Sequence, residues 1–278
     1  MSAENTVEDC IGRTRSSEER LSVQPARFLQ ATLDQQPSFQ EGDPLPPLWH
    51  WLYFLEAAQH SDLGRDSHPR KGGFLPPVSL PRRMWAGGRF QFHKQLRIGR
   101  HARKQSTITS IQEKSGRTGP LCFVTVEHQI FQENQLVLTE EHDIVYRDDP
   151  DPQAPQPALQ PAPEQRDIYR TIEPSPVLLF RYSALTFNGH RIHYDADYAR
   201  TVEGYEGLVF HGPLTATLLV NLASEMMKRP PKRFAFKGLA PIEGLHPFQI
   251  AGRMDGGAVS LWAERHDGVM AMTADAQF

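Results

Sequence analysis

The sequence has little cysteine and no strong excess of charge of either sign. Its two cysteines, Cys10 and Cys122, lie far apart, so neither a CxxC pair nor a disulfide-rich pattern is present. Thirty lysines and arginines against 33 aspartates and glutamates give a net charge of −3. This balance excludes the broad positive field that non-specific nucleic-acid binding requires. We therefore expect a protein of a reducing cytoplasm that does not bind nucleic acid.

Long hydrophobic runs are also missing. The most apolar stretch, residues 207–223, is interrupted by His211, Pro213 and Asn221, and so falls short of the roughly 20 apolar residues that span a bilayer. The first thirty residues have no apolar core of the kind found in secretory signals. No Walker loop, GxGxxG or GxSxG motif occurs, so nucleotide hydrolysis, dinucleotide cofactors and serine hydrolase chemistry gain no support. The sequence predicts a soluble protein without a cofactor.

Proline is unusually frequent. The sequence has 23 prolines, where average usage of about 5% would give roughly 14. Six of them fall in residues 148–164, DDPDPQAPQPALQPAPE, which contain no aromatic or β-branched residue and suit neither a regular helix nor a central strand. We interpret residues 149–164 as an extended linker. It would separate an N-terminal domain, residues 1–148, from a C-terminal domain, residues 165–278.

Hydrophobic patterning predicts helix-plus-sheet units on both sides of this linker. Alternating apolar and polar residues predict antiparallel strands, and apolar residues at helical spacing predict helices. The predicted strands are 87–99, 105–114, 121–132 and 136–147 before the linker, and 176–186, 232–242, 246–254, 258–266 and 268–278 after it. The predicted helices are 25–33, 47–58 and 213–228. In the last of these, the apolar residues form one buried stripe, with Thr215 and Thr217 opposite.

Residues 182–214 hold the densest cluster of ionisable side chains beside apolar segments. Asn188, His190, His193 and Asp195 fall within eight positions of one another, and His211-Gly212 stands directly before the predicted helix 213–228. Glycine lets a ligand approach the backbone closely, and the unpaired amides at a helix start stabilise a carbonyl that develops negative charge. The segment is therefore the candidate active site.

The stretch SALTFNGHRIHYDADYA followed by EGLVFHGPL resembles the hydratase segment of the MaoC-like, R-specific enoyl-CoA hydratase and dehydratase family. PPLWHWLYFL, GFLPPVSLPRRMWAGG and the two-part length are similar to its fused double hot-dog subgroup. The resemblance implies an α+β double hot-dog fold, in which two antiparallel sheets each wrap around a central helix. Residues 1–148 contain no comparable Asn/His segment, so one active site per chain is expected, in the C-terminal domain.

The resemblance assigns His193 as the catalytic base and places Asn188 where most members have an aspartate. An amide cannot accept a proton at neutral pH, so Asn188 is expected to hold the water by hydrogen bonds. The backbone N–H of Gly212 is the expected oxyanion donor. Asp195 is a candidate to orient His193, and the role of His190 stays open. A metal held by these side chains is disfavoured, because no complete ligand set follows at a recognisable spacing.

Several basic side chains are candidates for binding substrate, each with a solvated surface role as the alternative. Arg233 and Lys237, like the basic runs 81–84 and 97–104, are candidates for coenzyme A phosphates. A dicarboxylyl substrate would bring a second carboxylate into the pocket, for which we expect Arg181 or Arg191 as the partner. His211 is expected either to contact substrate or to cap the helix that follows.

With the resemblance, these residues predict a hydro-lyase acting on an enoyl-CoA thioester, with no cofactor, metal or membrane partner. The narrow prediction, which the resemblance to the fused subgroup implies, is hydration of mesaconyl-C4-CoA or itaconyl-CoA to citramalyl-CoA. One alternative is a dehydratase of 3-hydroxyacyl chains carried on acyl carrier protein or coenzyme A. Another, kept open by the asparagine at position 188, is a hot-dog protein that binds acyl thioesters without turnover. A homodimer is the assembly we consider.

Overall fold

The computed structural model describes residues 6–116, 119–149 and 158–278. Within these ranges, five strands precede the predicted linker and five follow it. The first five are β1 Thr14–Arg20, β2 Arg82–Phe92, β3 His101–Gly116, β4 Gly119–Gln132 and β5 Gln135–Arg147. The second five are β6 Ile168–Ile172, β7 Arg233–Gly238, β8 Phe248–Asp255, β9 Ala258–Glu264 and β10 Met270–Gln277. The helices are α1 Val23–Thr32, α2 Pro176–Leu185, α3 Ala196–Thr201 and α4 Gly212–Met227.

All ten strands belong to one antiparallel sheet. Their order is β1-β3-β4-β5-β2-β7-β10-β9-β8-β6, so each half of the chain contributes one continuous block. The two blocks join where β2 pairs with β7, with Gly87 opposite Lys237 and Phe90 opposite Phe234. Alternating burial along β4 follows from its period-two sequence, because successive side chains of a strand point to opposite faces. The strand predictions for 105–114, 121–132 and 136–147 are confirmed, whereas the strand predicted over 87–99 ends at Phe92.

Helix α4 forms the centre of the C-terminal half. Leu214, Leu219 and Ala223 are fully buried, and the helix packs against β8, β9 and β10. The helix ends at Met227, and Lys228 caps it with a left-handed φ of 53°. The prediction of a helix over 213–228 is confirmed, but its expected polar face is not. Thr215 and Thr217 are only 2% exposed, and their hydroxyls donate to backbone carbonyls one turn earlier.

Two predicted elements are wrong. Residues 176–186 were expected to form a strand, but they form helix α2, which begins with Pro176 and is capped by the Ser175 hydroxyl accepting from the Leu178 N–H. Residues 47–58 were expected to form a helix, but only a 3-10 turn, Trp49–Leu52, is present. Positive φ angles of 67° at Leu48 and 57° at Phe54 stop a helix at both ends of this turn. The prediction over 25–33 is confirmed by α1.

Part of the predicted linker, residues 150–157, lies outside the described ranges. Residues 160–162 of the predicted linker are hydrogen-bonded to the C-terminal half. The Ala162 N–H donates to the Gly268 carbonyl at 3.0 Å, and the Met270 N–H donates to the Gln160 carbonyl at 2.8 Å. This part therefore runs beside the start of β10. The division at 149–164 stays a prediction. In the described part of the chain, the structure contains no helix that meets the length and apolarity needed to cross a bilayer.

Replacing Gly87 by alanine should destabilise the seam between the halves. A Cβ at this position would lie 2.6 Å from the backbone carbonyl oxygen of Phe236, which belongs to the neighbouring strand and has little room to move. We expect the free energy of unfolding in urea to fall by about 1–3 kcal/mol. Gly257→Ala is the matched control, because a Cβ there meets nothing within 4 Å. Equal stability of the two variants would contradict the close approach.

Candidate functional site

The loop between α2 and α3 holds the residues that the sequence singled out. Asn188 Oδ1 accepts a hydrogen bond from the His190 N–H at 3.0 Å, which fixes the start of the loop. The next residues form a 3-10 turn, Arg191–His193, and Asp195 then caps α3 by accepting from the Tyr198 N–H at 2.9 Å. Asn188 and His193 are thus held in one rigid segment.

His193 is 7% exposed, and its tautomer is set by the backbone. A carbonyl can only accept, so Nδ1–H donates to the Val209 oxygen at 2.8 Å and Nε2 keeps its lone pair. Burial first, and then the charge of His190, lowers the pKa of His193 to about 3. At neutral pH the ring is therefore uncharged, and Nε2 is able to accept a proton.

His211 lies against His193, with ring centroids 3.6 Å apart and planes at 20°. It is fully buried, its Nε2 pairs with the Ser183 hydroxyl at 2.8 Å, and its carbonyl accepts from the Thr215 N–H in the first turn of α4. Burial keeps the pKa of His211 well below the usual value, so it stacks as a neutral ring. Of the two expected roles, the helix-start role is present, and Gly212 follows as the first residue of α4.

A dyad of Asp66 and His68, which sequence analysis missed, reaches this site from the N-terminal half. His68 Nδ1 lies 2.9 Å from Asp66 Oδ2, and the His68 ring is 4.4 Å from that of His190. The Arg191 N–H donates to the Asp66 carbonyl at 3.2 Å, which ties the two loops together. The pattern Asp-Ser-His-Pro at 66–69 was the available signal, since a carboxylate two residues before an imidazole can hold its ring.

Burial alone would raise the pKa of Asp66, but the hydrogen bond to His68 and the charge of that ring outweigh it, and the pKa is lowered. Asp66 therefore stays an anion in the neutral range. For His190, burial and then the charge of His68 lower the pKa to about 3. Asp66 is thus an anion beside rings that burial holds neutral at His190, His193 and His211.

A cavity of about 460 Å³ lies between the site loop and the sheet of the N-terminal half. On the side of the site it is lined by His68, Asn188 and Pro213, so it reaches the start of α4. Its other walls are mostly aromatic or cationic and include Trp51, Tyr53, Phe54, Trp85 and Tyr182 together with Arg15, Arg83 and Lys104. The volume suits a short acyl group between an aromatic wall and several cations.

The structure does not bring the expected cations to this cavity. Arg191 is paired with Asp195 at 2.7 Å, and its guanidinium lies over the Tyr198 ring. Asp195 therefore binds Arg191 and caps α3 and does not orient His193, which corrects that expectation. Arg181 is exposed on α2, and Arg233 and Lys237 are exposed on β7. None of these four arginine and lysine side chains lines the cavity between the two halves, and their assignment to substrate stays a prediction.

Buried ionisable groups form the floor of the cavity. Glu140 is 3% exposed and accepts from His50 Nε2 at 2.9 Å and from Trp51 Nε1 at 3.0 Å. Burial lowers the pKa of His128 to about 3 and that of His142 to about 4, in spite of the nearby Glu140 charge. Within the described ranges, two sets have ligand-type atoms close enough to reach one ion: His128, Glu140 and His142, and Asp66, His68 and His190. In the first set Glu140 is hydrogen-bonded to His50 and Trp51, and in the second Asp66 is hydrogen-bonded to His68.

Comparisons with known proteins give one consistent result. The sequence profile of the family "hydroxyacyl-thioester dehydratase type 2" matches residues 48–243. Mesaconyl-C(4)-CoA hydratase of Chloroflexus aurantiacus is 50% identical over 268 residues, which is 95% of each chain.

Among solved structures, a MaoC-like dehydratase from Phytophthora capsici superimposes with a TM-score of 0.69 and 13% identity over 100% of this chain and 99% of that one. A Mycobacterium tuberculosis protein described as having a double hot-dog fold gives a TM-score of 0.56 and 13% identity, with 96% of each chain covered. The fold is therefore the expected double hot dog, here with its two sheets joined edge to edge through β2 and β7.

Proposed function

The chain belongs to the hydroxyacyl-thioester dehydratase type 2 family, and on that basis we propose that it is a hydro-lyase that adds water to mesaconyl-C4-CoA to give citramalyl-CoA. The observation that carries this proposal is the 50% identity to a mesaconyl-C4-CoA hydratase over 95% of the chain. The cavity beside Asn188 and Pro213 supports it, because it offers space for a short acyl thioester at the start of α4.

In the proposed mechanism, the thioester carbonyl lies at the start of α4 and the β-carbon faces His193. The Asn188 amide group holds the water, and His193 Nε2 accepts its proton as the oxygen attacks the β-carbon. Negative charge then builds on the thioester oxygen in an enolate-like transition state. The Gly212 N–H and the positive end of α4 stabilise this charge, since they are in place before the reaction begins.

The distal carboxylate of mesaconyl-C4-CoA needs a partner inside the cavity, because burying it unpaired would cost several kcal/mol. Arg83 and Lys104 are the best candidates. Both are half-buried on the cavity wall, and neither has a carboxylate partner among the residues that the structure describes. The Lys104 ammonium reaches only the Phe54 carbonyl, at 3.5 Å, and burial lowers the pKa of Lys104. An incoming carboxylate would complete this arrangement.

Replacing Arg83 or Lys104 by methionine should therefore change specificity. For at least one variant, kcat/KM on mesaconyl-C4-CoA should fall at least about 10-fold more than on crotonyl-CoA, which has no second carboxylate to leave unpaired. Arg253→Met, an exposed arginine on β8, is the control. Equal losses on both substrates would instead assign these cations to the coenzyme A phosphates.

Turnover itself is tested by mixing the protein with mesaconyl-, itaconyl- and crotonyl-CoA and following the absorbance of the conjugated enoyl thioester. Loss of absorbance with mesaconyl-C4-CoA supports the proposal. Binding without loss of absorbance on any of the three would favour the non-catalytic acyl-thioester protein. Turnover of only long 3-hydroxyacyl chains would favour the dehydratase that the family description names. Cytoplasmic location and a homodimer stay predictions.

A further inference from the structure

We propose that Asp66 and His68, supplied by the N-terminal half, complete the active site: His68 exchanges the proton of the substrate α-carbon, and Asp66 positions its ring. This inference rests on the proposed hydration of an enoyl thioester. It concerns the proton that the α-carbon gains in hydration.

The need for a second group follows from the proton balance. Hydration takes one proton from water and adds one to the α-carbon. His193 is neutral and carries its only N–H at Nδ1, which is directed at the Val209 carbonyl, so its free Nε2 can accept a proton but has none to donate. Asn188 cannot exchange a proton at neutral pH. A group on the same side of the substrate that already holds a proton can supply the α-carbon without waiting for His193 to take one from water.

His68 meets this requirement by its position. It lines the cavity together with Asn188, and it is half-buried, so its ring is reachable by a bound substrate. The 2.9 Å contact between Nδ1 and Asp66 Oδ2 turns Nε2 away from the carboxylate. An imidazole held in this way by a carboxylate is the arrangement by which enzymes fix a tautomer and stabilise an imidazolium.

The dyad is hydrogen-bonded to the loop between α2 and α3. Asp66 Oδ1 accepts from the His68 N–H at 3.0 Å, and the Asp66 carbonyl accepts from the Arg191 N–H. Gly189 lies so close that a Cβ there would be 3.2 Å from the Ser67 carbonyl oxygen. His190 stands between the two proton-transfer residues, 4.4 Å from the His68 ring and 5.5 Å from the His193 ring by centroids.

One O–H bond of water breaks and its proton goes to His193 Nε2, while the oxygen bonds to the β-carbon and the double-bond pair moves toward the thioester. The α-carbon then takes the proton of His68 Nε2, which leaves His68 neutral and His193 protonated. A proton passing from His193 to His68, with His190 between them, restores the starting state. In dehydration, His68 removes the α-proton and His193 protonates the departing hydroxyl.

The test compares His68→Gln and Asp66→Asn with His60→Gln, an exposed histidine near the same loop. With mesaconyl-C4-CoA, His68→Gln should lower kcat by about 10²-fold or more with little change in KM, as expected for loss of a general acid. Asp66→Asn should lower kcat by a smaller factor, and His60→Gln should not change it. Imidazole added to His68→Ala should restore part of the activity, which a purely structural role would not allow.

Failure of this inference is distinct from failure of the proposed function. If wild type hydrates mesaconyl-C4-CoA and a folded His68→Gln does so equally well, the dyad is not catalytic. If His68→Gln does not fold, His68→Asn carries the same comparison. Loss of kcat in His68→Ala with no recovery on adding imidazole also overturns the proposal. If wild type hydrates none of the thioesters, the proposed function itself is wrong.

Discussion

Replacement of His193 by alanine should lower kcat for hydration of the enoyl thioester by about 10²- to 10⁴-fold, with KM nearly unchanged. The substitution removes the ring whose Nε2 is free to accept the proton of water, while Gly212 and the cavity wall remain. His101→Ala, at an exposed histidine on β3, is the matched control. Steady-state kinetics with mesaconyl-C4-CoA measures the effect, and nearly full activity would remove His193 from the mechanism.

Asn188→Ala serves as the internal comparison. It loses hydrogen bonds to water and the bond from the His190 N–H, but no proton acceptor, so kcat should fall less than in His193→Ala. A larger loss in Asn188→Ala would mean that placing the water matters more than accepting its proton. Because His193 stacks on His211 at 3.6 Å, Tm is measured for each variant to separate lost chemistry from lost packing.

Replacing Glu203 by glutamine should produce the largest loss of stability that we expect from a single change of charge. Arg82 and Glu203 are 7% and 6% exposed and lie 2.7 Å apart. Tyr205 and Tyr198 complete the network through their hydroxyls, at 3.0 Å from Arg82 and 3.1 Å from Glu203. Without the carboxylate, the guanidinium stays buried and uncompensated, so the free energy of unfolding in urea should fall by about 3–5 kcal/mol.

Two further variants test the cause of this loss. Glu225→Gln breaks the Arg170–Glu225 pair, whose side chains are 49% and 57% exposed, and should cost less than about 1 kcal/mol. The double variant Arg82→Met with Glu203→Leu removes both charges and should be more stable than Glu203→Gln alone. Equal losses in Glu203→Gln and Glu225→Gln would show that the buried pair is not special. The network matters because it joins β2 to the loop after α3, across the two halves.

Local patterns were sufficient for most of the fold. Strands β3 to β5 were predicted because alternation along a strand depends only on which face each side chain takes. Helix α4 was predicted from Pro213 and one apolar stripe. Helix α2 was missed because its short apolar run, VLLF, has no clear period, although Ser175-Pro176 before it was a helix-start signal. The pair Arg191 and Asp195 was also local, at the i, i+4 spacing that brings opposite charges together.

One part of the candidate site could be predicted from the sequence, and the other part depends on the tertiary structure. By itself, the sequence determined the segment that contains Asn188, His193 and Gly212, because these residues lie close together in the chain. The tertiary structure alone decided that His68 meets His190, and that Arg83 and Lys104 face the same cavity as Asn188. Those contacts join residues far apart in the chain, and they depend on how β2 and β7 align the two halves. No local pattern encodes that alignment, because it results from packing over the whole sheet.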